Sequence, residues 1–74
     1  MDAESKQFFK KHEFEMIGHA IVALLRQKRN GTKLADFEGT LKNLKKSMRA
    51  TGKEAGMEEK DINKTVRVIS QGVV

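Results

Sequence analysis

From Leu34 to Met48 the chain sets Leu34, Phe37, Leu41, Leu44 and Met48 three or four residues apart, and it lines Lys42, Lys45, Lys46, Arg49 and Lys53 along their flank. At about 3.6 residues per turn this spacing gathers the apolar side chains into one helical seam. The segment must pack through one face and show positive charge with the next. At about 100° per residue the five cations occupy an arc of roughly 100° beside that seam. Any fold for this chain has to bury the seam and leave the cations in solvent or against an anion.

The flanking segments are also helical in pattern. A first helix is expected over about 3–29, where Phe14, Ile17, Ile21, Leu24 and Leu25 form a core stripe that Phe9, Met16, Ala20 and Ala23 widen. A stripe that wide can contact two neighbours. Asn30-Gly31 suits a left-handed cap that ends this helix. The second helix is expected over about 33–52, with Thr32 as N-cap and with Thr51-Gly52-Lys53-Glu54 spaced as a capping box or break near its end. Gly39 inside it should cost about 1 kcal/mol relative to Ala, which points to a close helix crossing there. Ala55-Gly56-Met57 reads as a turn. A third helix follows over about 58–70 with Ile62, Val66 and Ile69 inward, and residues 71–74 form a frayed tail.

These elements predict an all-α fold: a single domain over 1–74, built as a long helical hairpin plus a shorter third helix. With 74 residues the chain buries only a modest core, and with no Cys it has no disulfide to reinforce it. Dimerisation is the expected reinforcement. The longest apolar stretch, Met16 to Leu25, is about half of what a membrane-spanning helix needs. The opening Met1-Asp2-Ala3-Glu4 lacks the basic-then-apolar order of a secretory signal. A cytoplasmic location without membrane contact is therefore expected.

Catalytic signals are weak. His12, Glu15 and His19 fall on one side of the first helix, yet metal ligands must converge within about 2.2 Å, and side chains two turns apart on a straight helix diverge. Ser5, Ser47 and Ser70 are isolated, and no Gly-rich phosphate loop occurs. The expectation is no enzyme, no cofactor, no metal and no small-molecule substrate.

Residues 50–65 resemble a helix-turn-helix in part, with Gly56 at the turn, Met57 after it, Ile62 as a core position and Gly52 as the small residue four before the turn. Thr51 and Thr65 stand where apolar residues are usual. The leading end of the third helix carries Glu58, Glu59 and Asp61, which oppose phosphate.

The basic stripe is the stronger signal. Within it, Lys42 with Lys45 and Lys46, Lys45 and Lys46 with Arg49, and Arg49 with Lys53 are like-charged neighbours on the helix surface. Together they destabilise an isolated helix by about 1 to 2.5 kcal/mol, of which Glu38 can offset only part. The formal net charge of +5 adds long-range attraction for anions. Two readings follow: Lys42, Lys45, Lys46, Arg49 and Lys53 contact nucleic-acid phosphates, or Glu58, Glu59 and Asp61 neutralise them across the fold. The expected function is a small non-enzymatic binding protein for nucleic acid, regulatory or architectural. The alternative is an interaction module, homo-oligomeric or bound to an acidic protein, that uses the apolar face of the first helix.

Overall fold

The computed structural model describes residues 2–71 and contains three helices: α1 (Ala3–Arg29), α2 (Phe37–Glu54) and α3 (Glu59–Ser70). Among these residues there is no strand, and α1 packs on α2, α2 on α3 and α1 on α3, which makes a small three-helix bundle. The 71–74 tail of the sequence reading lies, beyond Gln71, outside the described residues.

Local signals set the helix ends. Asp2 accepts the Ser5 N–H at 2.8 Å and starts α1, with Glu4 in the first turn and Arg26, Lys28 and Arg29 in the last, an order that complements the helix dipole. At its end Gly31 takes φ 82°, the Gly31 N–H donates to the Lys28 carbonyl and the Thr32 N–H to the Gln27 carbonyl. This is a Schellman cap, which needs the left-handed backbone that glycine adopts without strain. The same cap closes α2: Gly56 has φ 80°, its N–H donates to the Lys53 carbonyl, and the Met57 N–H donates to the Gly52 carbonyl.

The start of α2 corrects the sequence reading. The helix begins at Phe37, and its N-cap is Asp36 rather than Thr32. Asp36 sits in the left-handed region at φ 51° and ψ 50°, and its carboxylate accepts the Gly39 N–H at 3.3 Å. Gly39 therefore lies against this cap and not at a helix crossing, since a Cβ there would run into the Asp36 carboxylate. No break or capping box interrupts Thr51-Gly52; both residues are buried inside α2, which continues to Glu54.

The close crossings are elsewhere. Gly18 of α1 faces the Met48 and Ile69 side-chain tips, each 3.1 Å from where a Cβ would stand. Gly52 of α2 faces Ile62 at 2.9 Å and Phe14 at 3.1 Å by the same measure. Lys10 pairs with Glu54 at 2.8 Å, and Lys28 stands over the Phe37 ring at 5.4 Å, so α1 and α2 run antiparallel in one constant register. Phe14, Ile21, Met48, Ile62 and Val66 form the buried core, with Ile17, Leu25, Leu41, Leu44, Met57 and Ile69 packed around it.

Phe9, Met16, Ala20 and Ala23 do not widen this core. All four are exposed, with Phe9 at 56% and Met16 at 54%. The reason is that α2 and α3 both pack on the side of α1 marked by Phe14, Gly18 and Ile21, which leaves its far side bare.

Candidate functional site

Core contacts orient the basic stripe. Met48 is buried, Gly52 meets Ile62 of α3, and Glu54 reaches Lys10 of α1, so the two flanks of α2 are assigned to different neighbours. Counting about 100° per residue from Met48, all five cations fall on the Gly52 side, the flank that borders α3. Lys42, Asn43, Lys46, Arg49, Ala50 and Lys53 line one open depression of about 700 Å³ along the outer face of α2. Four of the five expected site residues are thus brought together. Lys45 is not among them: it is half-buried and lies nearer the core edge.

None of the five cations makes an ion pair among the described residues, whereas Lys10 pairs with Glu13 and with Glu54. Glu58, Glu59 and Asp61 do not reach the stripe within 4.0 Å. Glu38, spaced to pair with Lys42 and Lys45, does not engage them either. The like-charge repulsion along α2 therefore has no counter-ion in direct contact among the described residues.

Two carboxyls away from the stripe carry shifted acidities. The Lys10 ammonium that bonds Glu54 holds that carboxyl below its ordinary range, and Lys10 itself is raised by the bond to Glu54 first and to Glu13 second. The Ser5 backbone N–H lowers the Asp2 carboxyl in the same way. These groups anchor the start of α1 and the α1–α2 hairpin.

His12, Glu15 and His19 are exposed on α1, and among the described residues no group of three or more His, Cys, Asp or Glu is placed to hold a metal ion. An apolar groove of about 270 Å³ runs between α1 and α3, with Phe14, Gly18, Val22, Met48 and Ile69 in its walls. No helix among the described residues is long and apolar enough to cross a membrane.

The structure also displays a second polar face. On α3, Ile62 and Val66 are buried, and Lys60, Asn63, Lys64 and Arg67 are exposed on the opposite side at i, i+3, i+4 and i+7. The signal is present in the sequence as the complement of the Ile62-Val66-Ile69 stripe. Reading α3 by its acidic first turn alone misses it. Comparison with protein-family models, with curated proteins and with solved structures gave no match.

Proposed function

We propose that this chain is a non-enzymatic nucleic-acid-binding protein, regulatory or architectural, that grips backbone phosphates through Lys42, Lys46, Arg49 and Lys53, with Lys45 at the edge of the contact. The observation that carries this reading is the unpaired stripe: four cations line one open depression, and no carboxylate of the described fold stands within ion-pairing distance. Such an array costs folding stability through repulsion and regains it when phosphates take the counter-ion positions. The chain's four Phe are its only aromatics, and none lies on the stripe, so backbone contact is favoured over base stacking.

A salt titration of binding to a labelled duplex tests it. With all five cations engaged, log K should fall against log salt with a slope of about −4.5, and the Lys45/Lys46/Arg49 triple Ala variant should flatten it by nearly three units. Salt-insensitive affinity, or no binding at low salt, would overturn the reading.

One observation favours a second reading, a protein-interaction module. Phe9, Met16, Ala20 and Ala23 leave an apolar strip on the outer side of α1. Pairing of two α1 strips would cover this surface. Light scattering decides it: a dimer in the wild type that Met16→Glu converts to monomer supports the reading, and a wild-type monomer at all concentrations rejects it.

A further inference from the structure

We propose that the outer face of α3 reads duplex DNA in the major groove, with Asn63 and Arg67 contacting base edges while the α2 cations hold the adjacent phosphates. The inference rests on the phosphate reading of the α2 stripe and adds the nucleic-acid class and the reading element.

The supporting geometry begins at the turn. α2 ends at Glu54 and α3 starts at Glu59, so four residues join them, and the Gly56 cap turns the chain sharply. Gly52 and Ile62 then lock the two helices at close range. Thr51, at a place where an apolar residue is usual in a helix-turn-helix, is 8% exposed and fills a core position despite its hydroxyl, while Thr65 is half-buried at the core edge, its hydroxyl donating to the Asp61 carbonyl at 2.9 Å. A short glycine-containing turn here joins two closely packed helices, the kind of connection through which a helix-turn-helix presents its second helix.

The face so presented has the chemistry for base readout. Lys60, Asn63, Lys64 and Arg67 span an arc of about 100° opposite the core stripe. All four are exposed, and among the described residues none of their side chains is engaged in a hydrogen bond or ion pair. An Asn amide can bond adenine N6 and N7 together, and an Arg guanidinium can bond guanine O6 and N7 together. A helix of 12 residues, about 18 Å long and 10–12 Å across, fits a major groove about 12 Å wide. The deep, narrow major groove of an RNA duplex does not admit it.

Two flanks of α3 have different neighbours. Thr65 and Ile69 line the groove against α1, and Asp61 lies with Lys64, Thr65 and Val68 on that same flank. Asn63 and Arg67 fall on the other flank by helix geometry, toward α2, whose own cations lie on the side bordering α3. The reading face and the phosphate-binding stripe therefore adjoin. Asp61 points away from the junction, and Glu58 is the N-cap residue before the helix. Only Glu59 lies on the α2 side, so contact is centred on the middle and last turns of α3 and not on its acidic first turn.

Selection of bound duplexes from a randomised library by the full chain, followed by titration of the enriched and a scrambled duplex, tests the proposal. The expected result is an enriched sequence bound at least tenfold more tightly than its scrambled form. Asn63→Ala and Arg67→Lys, checked for wild-type thermal stability, should each reduce that preference by about fivefold or more, at most abolishing it, while binding to the scrambled duplex stays within about twofold. The Lys42/Lys46/Arg49 triple Ala variant should weaken binding to both duplexes equally. If no sequence is enriched, or if the α3 variants leave the preference unchanged while stripe-dependent duplex binding persists, the α3 proposal fails alone. Binding of RNA duplexes in place of DNA also overturns it. Absence of any duplex binding at about 50 mM salt removes both this proposal and the phosphate reading.

Discussion

Gly52 lies so close beneath Ile62 that a Cβ on the glycine would stand 2.9 Å from Ile62 Cγ1 and 3.0 Å from its Cδ1. The atom met first is Cγ1, near the root of the side chain, and Phe14 closes the other side at 3.1 Å, so little can move aside. Gly52→Ala should therefore destabilise the bundle by about 1 kcal/mol: overpacking costs about 1 to 3 kcal/mol, and the better helix propensity of Ala returns about 1. Urea unfolding checks this, and Gly52→Ala combined with Ile62→Val should lose less than the two single changes together.

Gly18 makes the contrasting case. The atoms it meets are the tips of Met48 and Ile69, at 3.1 Å, and flexible tips can yield by a few tenths of an ångström. Gly18→Ala should leave stability unchanged or raise it by up to about 1 kcal/mol. The same urea titration reads it.

Asp36 combines a left-handed backbone with a capping carboxylate. Asn tolerates that conformation and can still accept the Gly39 N–H, so Asp36→Asn should be nearly neutral. Asp36→Ala loses the cap and keeps the strain, and the expected loss is about 1 to 2 kcal/mol in thermal or urea unfolding.

The unpaired stripe predicts that salt stabilises the fold. Raising ionic strength screens the repulsion among Lys42, Lys45, Lys46, Arg49 and Lys53, so the melting temperature should rise with added NaCl. Lys46→Glu places a carboxylate between Lys42 and Arg49 on the helix surface. It should raise stability by about 0.5 to 1 kcal/mol at low salt, reduce the salt dependence and weaken duplex binding. A stabilised variant that binds less well would show that the stripe is kept at the expense of folding.

Acid should weaken the protein through Asp2 and Glu54. The folded state holds both carboxyls below their ordinary values, so the unfolded chain binds more protons as pH falls. Their contribution is complete above the unfolded values near 4 and is lost as pH drops through the lower folded values. Stability measured from pH 6 down to about 2 should decline, and the Asp2→Asn/Glu54→Gln variant should show a shallower decline over the same range.

Much of the fold is legible in the residues, and the exceptions are instructive. Asn30-Gly31 and Gly56 mark their turns because a left-handed cap asks for glycine wherever it occurs in a chain. Thr32 has the right chemistry for an N-cap, yet Asp36 takes the place, with Lys28 of α1 set over the adjacent Phe37 ring. Gly39 and Gly52 look alike as helix-interior glycines. Only the approach of α3 makes Gly52 the crossing point.

By itself the sequence determined that three amphipathic helices form, that glycine caps close the first two, and that five cations share one edge of the second, because periodicity and C-capping act within a few residues. Tertiary structure decided what each face meets. The register that sets Phe14 against Gly52 and Gly18 against Met48 is made by residues distant in sequence, and it places α2 and α3 on one side of α1. That placement leaves Phe9 and Met16 bare, keeps Glu58, Glu59 and Asp61 out of ion-pairing reach of the stripe, and turns Lys60, Asn63, Lys64 and Arg67 outward. A helical pattern fixes which residues share a face; only packing between distant segments fixes what that face is set against.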